Sequence, residues 1–281
     1  MPRPTKILIQ TTIPYTEDDW HVGRFSRLSQ HLAGLPGVEV TARNREAAPG
    51  VTDPVLGSLD TSDFDQLWLF AVDVGDGLNS EECAAIGRFR QDGGGMLVTR
   101  DHMDLGSSVC TLGGVGEAHY FHSKHLDPDE SRHARDDVET TAIDWPNYHS
   151  GANGDFQTIR VAGDRHPVLE GVSRLPSHPH EGAVGAPAHD PSARVIATGV
   201  SQTTRRDFNI AVAFEPSADG GPAIAQSTFH HFADFNLDPA MGHPTFVTET
   251  PGDGFAREPA ALAEAFRYYE NLVGWLGRRA T

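Results

Sequence analysis

The 281-residue sequence predicts an α/β fold, a mostly parallel central sheet with antiparallel strands at one edge. Three observations lead there. Short apolar runs alternate with helix-period segments from residue 6 to residue 99, the signature of parallel strands joined by right-handed crossovers. Three further strand-like runs, at 194–198, 208–214 and 223–229, follow one another with short connections, which suits an antiparallel edge. A glycine-bounded apolar run, Gly93-Gly94-Gly95 into Met96-Leu97-Val98-Thr99, reads as a strand buried on both faces.

In chain order, residues 6–10 form the first predicted strand. Residues 11–21 are a polar loop carrying Tyr15 and Trp20 to where a first strand–helix loop meets a ligand. Residues 22–35 have helical spacing through Phe25, Leu28, Leu32 and Leu35, with Gly34 and Gly37 as stops. Val38-Glu39-Val40 is a short strand, and a Pro/Gly/Asp-rich connection fills 44–64. Residues 66–72 form a buried strand. Ser80 is placed as the N-cap of a helix whose first turn carries Glu81 and Glu82. Residues 157–161 read as a strand, 166–172 as a turn or short helix, and 258–276 as an amphipathic closing helix. That helix, with Tyr268, Tyr269 and Trp275, is expected to close the core, a homodimer face being the alternative. With no repeats or charge blocks, the expectation is a single domain, interrupted at 104–155 by a long His-, Gly- and Asp-rich insertion. Irregular stretches of that length in compact domains are usually functional or disordered, and Trp145, Tyr148 and Phe156 favour order.

Charge narrows the partners. The chain has 22 basic and 39 acidic residues, a formal net charge of −17, which repels nucleic-acid phosphates and anionic membranes. A small-molecule substrate is the expected partner. No stretch approaches a membrane span and the N-terminal apolar run is too short for a signal peptide, so a cytoplasmic location is expected. Cys83 and Cys110 are isolated, without disulfide or thiolate-zinc spacing. GxGxxG, Walker, HExxH and GxSxG patterns are all missing.

What stands out is histidine, 15 in all and mostly after residue 100. Asp101, His102 and Asp104 follow the glycine-bounded strand. His119, His122 and His125 recur at three-residue intervals. His178-Pro179-His180-Glu181 puts two imidazoles on one side of an extended segment beside a carboxylate. Phe229-His230-His231-Phe232 ends an apolar run and is followed by Asp234 and Asn236, a polarity costly to bury without partners. In an extended segment only one of His230 and His231 can face a site. Neutral imidazole is the commonest protein metal ligand, and zinc or iron sites combine histidines with a carboxylate.

These residues also carry a family resemblance. The Gly93–Gly95 strand, the His166-Pro167-Val168-Leu169-Glu170-Gly171-Val172 segment and the late strand 223–231 resemble the ThuA-like (trehalose-utilisation) proteins, which share the class I glutamine-amidotransferase-like fold. The resemblance spans roughly residues 60–245. It implies a flavodoxin-like three-layer sandwich, a pocket at the carboxyl ends of the strands, and an association with oxidised sugars. It aligns His231 with the family's strand-end histidine and Glu181 with its acidic loop. Arg100 stands where amidotransferases have cysteine and ThuA-like proteins usually histidine, so amidotransfer through a thiol is not expected.

Three functional readings follow. The first is a metal-dependent hydrolase or isomerase acting on a small polar substrate, such as a sugar derivative. A divalent ion, zinc foremost, would be held among His102, His119, His122, His178, His180 and His231. Asp101, His102, Glu181 and His231 are its expected catalytic groups, and Arg100, Tyr15, Trp20, Asp234 and Asn236 its expected substrate contacts. The second reading is metal-free acid–base isomerase or lyase chemistry through Asp101, His102 and His231. The third is a non-catalytic ligand-binding protein on a degenerate amidotransferase-like scaffold.

Overall fold

Leu67–Phe70 and Met96–Val98 carry large apolar side chains on both faces, so strands built from them need cover on two sides. A computed structural model, which describes residues 3–137 and 140–277, supplies it. Strands β1 (Thr5–Thr11), β2 (Val38–Arg43), β3 (Gln66–Phe70), β4 (Gly95–Thr99), β5 (Arg160–Val161), β6 (Ala193–Val200), β7 (Asp207–Phe214) and β8 (Ala223–Gln226) form one sheet in the order 2-1-3-4-8-7-6-5. The first five in that order are parallel, and β7, β6 and β5 extend the edge antiparallel. This is the doubly wound, flavodoxin-like arrangement with an antiparallel extension.

Helices α1 (Ser26–Ala33) and α3 (Pro259–Leu276) cover one face through Leu28, Leu32, Tyr268, Tyr269, Leu272 and Trp275. Helix α2 (Ser80–Gln91) covers the other through Cys83, Ile86 and Phe89, helped by Leu56, Leu59 and Val109. The aromatic side of α3 thus closes the core. Gln66 Nε2 donates to Val273 O at 2.8 Å and Tyr268 Oη donates to Gln226 Oε1 at 2.8 Å, pinning the helix to β3 and β8.

Several boundaries differ from the sequence reading. The N-cap of α2 is Asn79, not Ser80: its side chain accepts from the Glu81 and Glu82 amides while Glu82 reaches back to the Asn79 amide at 2.9 Å. The strand expected at 157–161 is divided. Phe156–Thr158 pairs with Arg174–Pro176, and only Arg160–Val161 joins the main sheet. The run at 223–229 leaves the sheet at Gln226 and turns into a short 3-10 helix over Phe229–His231. The described residues of 104–155 include 3-10 segments, and backbone bonds from Tyr148 and Ser150 tie them to the 178–181 strip. Within the described residues, no helix is long and apolar enough to cross a membrane.

One buried ion pair ties the connection 44–64 to α2. Arg45 and Glu82 are both buried at 3.0 Å, and Glu82 also accepts from the Asp53 amide. Removing one partner of such a pair leaves an uncompensated interior charge. Glu82→Ala is therefore expected to lower unfolding free energy by about 3–5 kcal/mol in urea titrations. A loss below about 1 kcal/mol, typical of surface pairs, would contradict that reading.

Candidate functional site

Three segments meet at the carboxyl edge of the parallel strands. Beyond β4 come Arg100, Asp101 and His102; beyond β8 come Ser227, Thr228 and Phe229–His231; the strip 177–182 crosses both. The Phe229 amide bonds Arg100 O at 2.9 Å and the Gly182 amide bonds Ser227 O at 3.1 Å, so the three are fixed to one another.

Asp101 is the centre. Only 1% exposed, it accepts from Thr228 Oγ1 at 2.8 Å, and its Oδ2 lies 2.9 Å from His102 Nδ1. His178 Nε2 is 3.5 Å from Oδ1 and His230 Nε2 is 3.7 Å from Oδ2. The His178 and His230 rings stack with centroids 3.5 Å apart, and Trp20 meets His230 edge-on at 4.6 Å.

The tautomers of these two rings follow from a chain of amides. Asn236 Nδ2 donates to Ser177 O at 3.0 Å and to Asn153 Oδ1 at 2.7 Å, which fixes both Asn236 Oδ1 and Asn153 Oδ1 as acceptors. His230 Nδ1 is 2.8 Å from Asn236 Oδ1, and His178 Nδ1 is 2.8 Å from Asn153 Oδ1, so each must donate from Nδ1–H. In a neutral ring Nε2 then carries a lone pair, and both lone pairs face the Asp101 carboxylate. Among the described residues His178 Nε2 finds no hydrogen-bond donor. Burial pushes the His178 imidazole down to about 4 and His230 well below its ordinary value, so neutral rings are the resting form. Burial opposes ionisation of Asp101, whereas the imidazoles around it, His178 first, hold its carboxyl well below the usual range whenever they carry positive charge.

Acceptors converging on an acceptor call for a cation between them. One donor atom from each of Asp101, His102 and His178 lies within 4.8 Å of the others, and His230 Nε2 lies 3.7 Å from Asp101 Oδ2 beside them. This nitrogen–oxygen set fits a zinc, iron or manganese ion, with the asparagines orienting the ligands as second partners usually do.

A cavity of about 370 Å³ opens over this cluster. Its floor is Asp101, His102, His178 and His230, with His180 and Glu249 to one side; its walls include Trp20, Val72, Leu105, Ile143, Phe246 and Val247. His180 is held at both nitrogens, Nε2 by Glu249 Oε1 at 3.0 Å and Nδ1 near Asp137 Oδ2 at 3.3 Å. The His180 hydrogen bond draws the Glu249 carboxyl down to about 2.

The geometry separates the sequence candidates. Asp101, His102, His178 and Trp20 line one cavity, and Asn236 joins them by orienting His230. His180 lines the cavity, but with both nitrogens facing carboxylates it offers no free lone pair to an ion. The ring that enters is His230, not His231, because Phe229–His231 is a tight turn capped by the Thr228 side chain rather than an extended strand. His231 instead packs with Glu181, Gln157 and Gln226 in a fully buried network, where Ser227 Oγ donates to Glu181 Oε2 at 2.7 Å. Glu181 and His231 therefore brace the strip from behind the cavity.

Arg100 is buried, donates to Met103 O and lies 4.3 Å over the Phe121 ring, so it reaches no ligand in the cavity. His119 is buried against that arginine's field, and His122 bonds Trp145 O at 3.0 Å. Neither belongs to the cluster. Asp234 caps α1, accepting from the Ser26 and Arg27 amides at 2.9 and 2.8 Å. Tyr15 is 63% exposed and packs on His21. Burial pushes both Cys83 and Cys110 thiols up to about 11, which leaves them poor nucleophiles. Asn153, Thr228 and Glu249 carry no sequence signal that marks them as site residues. His230 carries one, its place at the end of an apolar run, but spacing does not separate it from His231.

No protein-family model matches the chain, and no curated protein sequence matches it either. Solved structures are similar to it in overall course. A ThuA-like protein from Bacteroides uniformis has 13% identity and a TM-score of 0.47, with 96% of this chain and 93% of that one covered. A second ThuA-like protein, from Parabacteroides merdae, has 16% identity and a TM-score of 0.48, covering 90% and 95%. The glutaminase domain of Trypanosoma brucei CTPS, with bound acivicin, has 15% identity and a TM-score of 0.48, covering 89% and 97%. At such similarity nothing about chemistry passes from them to this chain.

The tautomer assignment is directly observable. Nitrogen-15 NMR of histidine-labelled protein at neutral pH is expected to show His178 and His230 protonated at Nδ1 with pyridine-type Nε2. Nε2–H forms in both rings would overturn it.

Proposed function

We propose that the protein is a metal-dependent enzyme of hydrolase or isomerase type, its divalent ion, zinc foremost, held by Asp101, His178 and His230 with His102 beside them. The observation that carries this reading is the pair of buried imidazole lone pairs aimed at a buried carboxylate. Bound there, the ion supplies Lewis acidity for a carbonyl or lowers the pKa of a water. His180, clamped between Glu249 and Asp137 at the cavity wall, is placed to hold or hand over a proton beside the reacting group. The apolar walls exclude bulk water from that floor.

The 2.9 Å contact between Asp101 and His102 supports a second reading, metal-free acid–base catalysis. Metal content separates the two. Elemental analysis of untagged protein, or titration with zinc, is expected to give one ion per chain. A protein that neither contains nor binds metal would favour the second reading. Asn236→Ala, which frees the His230 ring, is expected to weaken metal affinity about 10–100-fold by calorimetry. Unchanged affinity would remove His230 from the ligand set.

A further inference from the structure

Resting on the metal reading above, we propose that the cavity takes a substrate with an uncharged apolar body, aryl or branched alkyl, joined to a single carbonyl-type head that meets the histidine–carboxylate floor. The sugar derivative suggested by the sequence is replaced by a different ligand class.

The argument begins with where polarity lies. Hydrogen-bonding side chains of the lining are those of the floor together with His180, Glu249 and Asp19. The rest of the wall is Trp20, Val72, Leu105, Ile143, Phe246 and Val247. A sugar presents hydroxyls around its whole circumference, and those facing this wall would lose water without gaining a partner. An apolar body loses nothing there and gains about 0.8 kcal/mol per buried methylene.

Charge points the same way. Among the described lining residues there is no lysine or arginine, whereas Asp19 and Glu249 are acidic. Arg100, the cation nearest in sequence, is committed to Met103 O and Phe121 behind the cavity. A second anionic group on the ligand would meet no counter-charge. The mouth carries a further sign: Val74 and Phe246, both lining residues, are 72% and 57% exposed. A ligand's apolar body would cover these side chains.

The cavity volume of about 370 Å³ suits a ring or short branched chain in addition to the head.

Hydroxamates test this, because the head binds a divalent ion and the acyl part can be varied. Zinc-loaded full-length protein would be titrated calorimetrically with aceto-, butyro-, pentano-, benzo- and gluconohydroxamate. Affinity is expected to rise about fourfold per methylene from the acetyl to the pentanoyl member. Benzohydroxamate should bind well above the acetyl parent, and gluconohydroxamate no tighter than it. Val74→Asp, at an exposed position of the mouth, should flatten that rise while leaving acetohydroxamate affinity within about twofold. A flat series in the unaltered protein, or tightest binding by gluconohydroxamate, overturns the apolar-body assignment and leaves the metal centre standing. Failure of the protein to take up zinc at all overturns the metal reading, and this one with it.

Discussion

The buried Asp101 carboxylate is the constraint around which the carboxyl edge of the sheet is assembled. A carboxylate with 1% exposure must find its partners inside the protein. It finds hydrogen-bond partners in His102, next in the chain, and Thr228, after β8, while His230 and His178 turn Nε2 toward it from the 3-10 turn and the crossing strip. The segments are also joined backbone to backbone, through Phe229 to Arg100 and Gly182 to Ser227. Each partner therefore arrives already aimed.

Behind the imidazoles stands a second row of groups whose work is orientation. Asn236 donates to Asn153 and to Ser177 O, and by doing so determines which nitrogen of His178 and of His230 carries the proton. An amide side chain suits this position because its two ends are fixed as donor and acceptor, where a hydroxyl would rotate. Further back, Glu181, His231, Gln157, Gln226 and Tyr268 form a buried hydrogen-bonded network linking the strip to β8 and to α3. Half-satisfied polar groups are costly in an interior, so such a network holds its members in one arrangement. The closing helix thus supports the ligand cluster at one remove.

The cavity combines two environments that rarely coexist by accident. Its floor gathers four ionisable side chains, whereas most of its walls are aliphatic or aromatic. Apolar walls lower the local dielectric and strengthen every electrostatic interaction at the floor. The same walls leave a ligand few polar contacts away from the reacting group.

The fold was legible because hydrophobic periodicity reports local structure directly. The runs at 66–70 and 95–99 are buried strands, and Leu28, Leu32, Leu272 and Trp275 sit on the core-facing sides of their helices. Asp101, His102 and His178 were legible as candidates because ionisable residues at strand ends need a reason to be there. The choice between His230 and His231 was not. It depends on a 3-10 turn nucleated by the Thr228 side chain, and one residue of rotation decides which ring faces the cavity. Nor could spacing reveal that Arg100 lies over Phe121 or that Asn153, far away in an irregular insertion, orients His178. By itself the sequence determined the order of strands and helices, an arginine rather than a cysteine at the strand end, and a histidine surplus. Tertiary structure alone decided which histidines meet, and in which tautomer. Period and composition are properties of neighbouring residues, whereas a site is an agreement among side chains far apart in the chain, such as Asp101 and Thr228 at 127 positions, that only the packed backbone brings within hydrogen-bond reach.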